Sequence, residues 1–426
     1  MSEGPPGPTG LLARVRASRP ARALAHRNLR LYLAGQGSSL IGTWMQRVGV
    51  GWLAWELTHS GFWLGALAAA DVGPSLLLAP LAGAVADRFD RQRLGMLFQS
   101  IALAQAAVLA LLAFAGRVDI GTLLVFQAAQ GIATAFWQPA RFALIPSLVP
   151  REDLTTTIAL TAVNFNLARF IGPALAGPVI LGLGVWATFA LNAASYLAFL
   201  VAASRLTLPP RPAPPAVRAN VLAEALSGVT RAARDPGIGP LLLFASLFAL
   251  TVRPLAELLP GFAALLGGGA GRLAAMTAAM GAGALIAGGI LAAAVPRRAL
   301  SYLLVAGIAL AALALLLFLF APGFTPALLC LALLALCETF VGVSAQTLLQ
   351  LRVTEDMRGR MLSLYGLIVR GGPALGALVL GLASEAAGLR LPVALGALGA
   401  LGVALAAALT RRRWASAFDP AASRLP

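Results

Sequence analysis

Residues 83–93 read GAVADRFDRQR, a short charged stretch between two long apolar ones. The apolar stretches cover residues 62–86 and 94–116. Each is long enough to cross the roughly 30 Å hydrocarbon core of a bilayer as a helix. A charged turn between two such stretches predicts a hairpin of membrane-spanning helices. The same alternation continues in both directions along the chain.

The composition of the whole chain is typical of an integral membrane protein. Of 426 residues, 59% are hydrophobic and only 11% are charged, and the mean hydropathy is +0.85. Soluble domains are typically about one quarter charged. The apolar stretches cover residues 29–58, 62–86, 94–116, 120–139, 154–181, 185–204, 239–266, 270–294, 300–321, 325–349, 361–387 and 391–409. The sequence therefore predicts an all-α membrane protein with twelve transmembrane helices.

The longest polar stretch divides these spans into two sets of six. It covers residues 205–236 and starts with a run of proline and arginine. A short amphipathic helix near residues 221–226 is expected within it. The predicted organisation is a cytoplasmic tail (1–28), an N-terminal six-helix bundle (29–204), a cytoplasmic linker (205–236), a C-terminal six-helix bundle (237–410) and a second tail (411–426).

The arginines predict the orientation of the chain. All 32 basic residues are arginine, and most lie in the two tails and in alternate loops. Only Arg117, Arg272 and Arg390 fall in the opposite loops. Because basic residues are retained on the cytoplasmic side, both termini are expected in the cytoplasm. The net charge of +16 then indicates contact with anionic phospholipids and no nucleic-acid partner.

Several kinds of chemistry are excluded by residue type. Without lysine, the chain has neither a phosphate-binding lysine for ATP nor a Schiff-base lysine. His26 and His59 lie at or beyond span ends and are too few for a metal site or a Ser-His-Asp triad. Cys330 and Cys337 lie about 10 Å apart along a helix, too far for a disulfide. The sequence predicts no enzyme activity, no cofactor and no metal.

The two halves contain an internal repeat. The fifth span contains GPALAG at 172–177 and the eleventh contains GPALG at 372–376, 200 residues later. Arg47 in the first span and Arg253 in the seventh are 206 residues apart. Similar offsets in the same order indicate duplicated, pseudo-symmetric bundles with a binding site between them.

Motifs along nearly the whole chain resemble those of the major facilitator superfamily. Residues 83–93 resemble its loop signature, with Asp90 where glycine is common, and residues 168–177 resemble its antiporter signature, with two alanines in place of glycines. The fourth span has Gln127 where that superfamily usually has arginine. Further resemblance lies at residues 36–47, 139–141, 253–260 and 351–366. The chain resembles the drug:proton antiporter branch, which includes the enterobactin exporter and macrolide efflux proteins.

This resemblance implies two bundles that rock around a central cavity, and it favours export over uptake. It also implies two kinds of gating motif. In one, small residues with a proline let two helices pack tightly and close one side of the cavity. In the other, charged loop residues form ion pairs in only one of the two transport conformations. A static topology anchor and ordinary small-residue packing are the alternatives. The candidate gating residues are Gly83, Asp87, Arg88, Arg91, Gly172, Pro173, Gly372 and Pro373.

Ionisable side chains inside apolar stretches are costly and indicate functional sites. The resemblance implies that spans one, four, seven and ten line the cavity. Candidate substrate-binding residues are Gln36, Thr43, Arg47, Gln127, Gln130, Arg253, Glu257 and Glu338. Candidate proton-coupling residues are Asp71, Glu257 and Glu338.

The helical spacing predicts which of these charges pair. Arg253 and Glu257 are one turn apart and can pair on one helix face. Arg47 is then left for Asp71 or for an acidic or catechol-like substrate group. Arg169 and Arg370 are expected to be structural, paired with helix ends or carboxylates.

The predicted function is that of a secondary active transporter. It exports a small amphipathic molecule, drug-like or siderophore-like, by proton antiport with alternating access. A proton-coupled uptake symporter and a non-transporting membrane receptor or scaffold are the alternatives. The lysine-free, arginine-rich composition indicates a GC-rich bacterial genome, hence the bacterial plasma (inner) membrane. The predicted partners are a small-molecule substrate, protons and anionic phospholipids, and a monomer is expected.

Overall fold

The computed structural model describes residues 19–208, 230, 232–292, 296, 299–416 and 418. The tail before residue 19, the expected amphipathic helix near residues 221–226 and the side chain of Asp87 lie outside this description. Over the described residues the chain forms helices and turns, without strands. The helices are α1 (Arg19–Ala25), α2 (Arg27–Thr58), α3 (Gly61–Arg88), α4 (Arg91–Phe114), α5 (Ile120–Leu144), α6 (Leu154–Leu183), α7 (Trp186–Ser204), α8 (Ile238–Thr251), α9 (Leu255–Leu265), α10 (Ala270–Ala292), α11 (Leu300–Leu319), α12 (Phe324–Arg352), α13 (Glu355–Ala387), α14 (Arg390–Leu409) and α15 (Arg411–Ala415).

Among the described residues, eleven segments are long and apolar enough to cross a membrane. Helices α8 and α9 together form one of them, Ile238–Leu265. The first predicted span corresponds to α2, which has 32 residues but is not among the eleven. Its glutamines, serines and arginines lower its hydropathy, so length alone qualifies it as a span.

The seventh predicted span is interrupted where α8 ends at Thr251 and α9 begins at Leu255. Pro254 lacks a backbone N–H and disfavours the helical conformation at Arg253, the residue before it. The chain forms a turn through these residues. The backbone N–H groups of residues 255–257 bond to the carbonyls three residues earlier, so the α-helical spacing between Arg253 and Glu257 is not kept.

Helix packing follows the same order in the two halves of the chain. In the N-terminal half, α2 contacts α6 and α7, α3 contacts α5, and α4 contacts α5 and α7. In the C-terminal half, α8 contacts α13 and α14, α10 contacts α12, and α11 contacts α12 and α14. The halves meet mainly through α3 with α13 and α6 with α10. This repeated pattern is what the internal sequence repeat predicts.

Glycines bring the two halves into backbone contact at one end of the helices. A Cβ on Gly65 would overlap the backbone of Ala377, and one on Gly61 would overlap the side chain of Ser384. Gly177 of α6 likewise lies against Ala274 of α10. Larger residues at these positions would force the helices apart. This end, called the sealed end below, is closed.

The same helices separate toward their other ends. A Cβ on Gly83 of α3, Gly366 of α13 or Gly288 of α10 would meet no described atom within 4 Å. Leu77 of α3 is 82% exposed. A central cavity therefore opens at the end where Arg88, Arg141 and Arg352 lie, called the arginine-rich end below.

Candidate functional site

An ion pair connects the two halves at the inner end of the cavity. Arg47 Nη2 of α2 donates to Glu257 Oε1 of α9 at 2.5 Å. The two side chains are 46% and 20% exposed, so both face open space. The predicted pair between Arg253 and Glu257 is wrong, because Glu257 pairs with Arg47 of the other half and Arg253 donates to a backbone carbonyl of α13.

Arg253 and Arg169 instead lie within electrostatic range of Glu338 of α12. Arg253 Nη1 donates to the backbone carbonyl of Val369 at 3.3 Å. Both guanidiniums interact electrostatically with the Glu338 carboxylate. Glu338 Oε1 is buried and has no hydrogen-bond partner among the described atoms. A buried carboxylate oxygen without a donor is costly, which is consistent with a group that exchanges a proton or a ligand.

Asp71 of α3 lies beside the central ion pair. Its carboxylate interacts electrostatically with Arg47, Glu257 and Arg370. Arg370 of α13 is exposed. The charges that meet here form the cavity cluster: Arg47, Asp71, Arg169, Arg253, Glu257, Glu338 and Arg370. The guanidiniums outnumber the carboxylates, so the cluster attracts anions when all its groups are ionised.

An aromatic side chain lies between two of these guanidiniums. The Trp44 ring is 5.5 Å from the Arg47 guanidinium carbon and 5.6 Å from that of Arg169. Phe165 meets Trp44 edge-on at 6.1 Å. Sequence reasoning missed Trp44, although it lies three residues before Arg47 and thus on the same helix face.

The polar residues predicted to line the cavity differ in their hydrogen bonds and in their burial. Thr43 Oγ1 is 3.3 Å from the Tyr196 hydroxyl, and Gln130 Nε2 donates to the same hydroxyl at 3.4 Å. These three residues join α2, α5 and α7 inside the N-terminal half. Gln127 is half-buried, whereas Gln36 is only 3% exposed and its Oε1 has no hydrogen-bond partner among the described atoms; substrate contact by either residue stays a prediction. Sequence reasoning missed Tyr196.

The loop signature lies at the arginine-rich end. Arg91 donates to the Ala143 carbonyl at 3.1 Å, which connects the start of α4 to the end of α5. Asp90 accepts a hydrogen bond from the Arg93 backbone N–H at 2.8 Å and so caps α4, a role in which aspartate is favoured over glycine's bare backbone. Arg88 is exposed.

The two GPALAG-like motifs hold helices together within each half. Gly172 lies against Trp44 and Ile41 of α2, and Gly372 lies against Ala249 of α8. Pro173 and Pro373 lie inside α6 and α13. The halves meet on either side of the first motif, where Phe170 lies against Gly281 of α10 and Gly177 lies against Ala274. A gating role for the four motif residues stays a prediction.

An ion pair at the arginine-rich end joins the start of α8 to the end of α12. Arg352 Nη2 is 3.2 Å from Asp235 Oδ2. Partial burial works to raise the pKa of Asp235, but the backbone N–H groups of Ile238 and Gly237 and the Arg352 guanidinium outweigh it. The pKa of this carboxyl is therefore held below its usual range.

The described residues contain no group of three or more histidine, cysteine or acidic side chains that could bind a metal ion. The geometry instead combines a cavity open at one end, a charged cluster at its inner end and glycine contacts between two similar halves. The family described as transmembrane secretion effector matches residues 20–424. The chain belongs to this family of the major facilitator superfamily.

Several relatives of this transmembrane secretion effector family member are transporters. The enterobactin exporter EntS of Salmonella choleraesuis (strain SC-B67) is 28% identical over 76% of this chain and 78% of its own length. Macrolide efflux protein A of Streptococcus pyogenes is 24% identical over 79% and 84%. The staphyloferrin A transporter of Staphylococcus aureus is 29% identical over 37% and 40%.

Solved structures show the same fold. A bacterial homologue of the human lysosomal transporter Spinster, inward-facing and unoccupied, has a TM-score of 0.70 at 17% identity, over 94% of this chain and 98% of the other. A POT family transporter in complex with 5-aminolevulinic acid has a TM-score of 0.72 at 13% identity, over 90% and 96%. The predicted superfamily membership is confirmed. This secretion effector family member is a multi-pass membrane transporter and not an enzyme.

Proposed function

We propose that the chain exports a small amphipathic molecule across the bacterial plasma membrane in exchange for protons. The observation that carries this proposal is the Arg47–Glu257 ion pair, which joins the two halves at the inner end of a cavity open only at the arginine-rich end. Such a bridge must break when the sealed end opens. Alternating access by two rocking bundles needs this kind of reversible contact.

The proposed topology has twelve spans, with α2 as the twelfth beside the eleven apolar segments. Residues 29–204 and 237–410 form the two bundles, and both termini are cytoplasmic. The arginine-rich end is then cytoplasmic, as basic loops favour, and contacts anionic phospholipids. The conformation is inward-facing, ready to accept substrate from the cytoplasm, and a monomer is sufficient for this cycle.

The proposed substrate carries an acidic or catechol-like group and an aromatic or apolar body. The excess of guanidiniums in the cavity cluster favours an anionic group. Trp44, near the guanidiniums of Arg47 and Arg169, offers a half-buried ring that an aromatic group can contact. The names of two relatives concern enterobactin and staphyloferrin A, and that of a third concerns macrolides. The proposal of an acidic substrate therefore rests on the excess of guanidiniums in the cavity cluster.

The proposed proton carriers are Asp71 and Glu338, with Glu257 as a third candidate held in an ion pair. A proton carrier must be poorly solvated and must gain or lose a cationic partner during the cycle. Glu338 fits this description because one of its oxygens is buried without a partner. Asp71 fits because it borders an ion pair that breaks when the sealed end opens.

Flux measurements in liposomes test the proposed substrate class and the proposed proton carriers. Purified protein is reconstituted, a pH gradient is imposed, and movement of catecholate, acidic and cationic aromatic compounds is followed. We expect pH-driven movement of anionic aromatic compounds, abolished by Asp71→Asn or Glu338→Gln. Glu56→Gln, a matched substitution at an exposed position of α2, should leave the flux unchanged.

Accumulation in cells decides the direction of transport. Cells that express the protein should accumulate less substrate than control cells. Higher accumulation would support an uptake symporter, and no flux in liposomes for any compound would support a receptor or scaffold. Intact pH-driven flux in both carboxylate variants would show that the coupling residues are assigned wrongly.

A further inference from the structure

A second cavity, called the groove below, lies between the arginine-rich ends of α5 and α6. It has a volume of about 370 Å³, and its walls include Phe142, Ile145, Ile158 and Phe165, with Arg141 at its polar side. None of the residues that line it belongs to the cavity cluster described above. Its size is that of a site for a small organic molecule.

Two buried hydrogen-bond donors without acceptors lie at and behind the polar side of this groove: Arg141 belongs to its lining, and Tyr32 lies behind Arg141. Arg141 Nε and the Tyr32 hydroxyl are both buried and have no hydrogen-bond partner among the described atoms. Tyr32 is 1% exposed and interacts with Arg141. Even if Arg141 donates to the Tyr32 oxygen, the hydroxyl proton still needs an acceptor. Buried donors in this situation are costly unless an anion or another acceptor occupies the site.

The apolar side of the groove leads toward the cavity cluster. Ile158, Phe165 and Arg169 follow one another at spacings of seven and four residues, so they lie on one face of α6. Ile158 is 53% exposed. Phe165 contacts Trp44 edge-on at 6.1 Å, and Trp44 lies against Arg169. The contact between Phe165 and Trp44 therefore connects the lining of the groove to Arg169 of the cavity cluster.

We propose that this groove is a vestibule subsite for an anionic amphiphile. Arg141, with Tyr32 behind it, binds the acidic group, and the aromatic or apolar body lies along Ile158 and Phe165. This inference rests on the proposed function, because the occupant is the transported molecule before it reaches Arg47 and Arg169. The small volume and the path toward Trp44 favour such a solute over a phospholipid with two acyl chains.

Photolabelling with a matched pair of probes tests the subsite. The protein is placed in phosphatidylcholine nanodiscs with an azido-naphthalene sulfonate, or with the same molecule lacking the sulfonate. Ultraviolet labelling by the anionic probe should map to residues 141–166. Arg141→Gln should reduce that labelling about tenfold, the effect of losing one charge-assisted contact. Arg151→Gln, at an exposed arginine outside the groove, should not.

A second pair of variants tests the apolar wall. Ile158→Trp should fill the groove and reduce labelling by both probes. Val163→Trp lies on the same helix at similar exposure, 58% against 53%, but outside the lining, and should have no effect. Equal labelling of the wild type and Arg141→Gln, or equal effects of the two tryptophans, would overturn the subsite.

The same photolabelling experiment shows whether the groove binds the anionic solute or a phospholipid headgroup. If phosphatidylglycerol added to the nanodiscs abolishes labelling, the groove binds phospholipid headgroups and the vestibule is refuted. If labelling survives and depends on Arg141, the vestibule is supported. Labelling does not require transport, so a failure of the liposome flux described above would refute the proposed function without being mistaken for a failure of the subsite.

Discussion

Neutralising Glu257 should shift the transporter toward opening of its sealed end. In the described conformation Glu257 accepts a charge-assisted hydrogen bond from Arg47 across the two halves. Such bonds contribute about 1.5–3 kcal/mol, and exposure lowers the value. Since the Arg47 side chain is 46% exposed, we take the lower limit, which corresponds to roughly a tenfold change in the conformational equilibrium.

Cysteine accessibility measures this equilibrium directly. Ser384 of α13 is 9% exposed and lies against Gly61 at the sealed end. In a background with Cys330 and Cys337 replaced by serine, Ser384→Cys reacts with an impermeant maleimide only when this end opens. We expect Glu257→Gln to accelerate labelling about tenfold.

Two further variants make the measurement decisive. The exchange Arg47→Glu with Glu257→Arg should restore slow labelling, because the pair is rebuilt with its charges reversed. Asp235→Asn removes a carboxylate from an ion pair within one half and should leave labelling unchanged. If Glu257→Gln labels at the wild-type rate, or the exchange fails to slow it, the ion pair does not hold the sealed end closed.

Three other predictions follow from the fold. In intact cells an impermeant thiol reagent should label a cysteine at Ser60 and not one at Pro214, which lies outside the described residues; the reverse pattern would overturn the orientation. Gly65→Val should overlap the α13 backbone and reduce flux about tenfold, whereas Gly73→Val on the same helix, where a Cβ meets no described atom within 4 Å, should not. Asp235→Asn should lower thermal stability at pH 7 by about 1 kcal/mol. Because folding lowers the pKa of Asp235, this difference should begin to shrink as the pH falls below about 4, where the unfolded chain is protonated first. It should vanish at lower pH, once the folded carboxyl is protonated too; a difference independent of pH would refute the ion-pair explanation.

The spans and the repeat could be predicted from the sequence because both depend on local composition. Apolar stretches of sufficient length must form helices in a bilayer, where unpaired backbone groups are too costly. The first predicted span, α2, is not among the eleven apolar segments, because several of its residues are polar and make contacts inside the protein. Gln46 is buried and accepts a hydrogen bond from Asn192 of α7 at 2.7 Å, and the Thr43 hydroxyl is 3.3 Å from that of Tyr196. Hydropathy alone therefore underestimates a helix whose polar face is satisfied by its neighbours.

The sequence by itself determined the helical membrane fold, the superfamily and the set of charged residues to examine. Only the tertiary structure decided which charges meet. Arg47 and Glu257 are 210 residues apart, and their contact depends on the turn at Pro254 and on how closely the glycines let the two halves approach. Helical spacing predicts which residues are neighbours on one helix. An ion pair between two helices depends instead on how each helix is rotated about its axis and how far it is shifted along that axis. Those are set by side-chain packing along the whole interface, which no local pattern encodes.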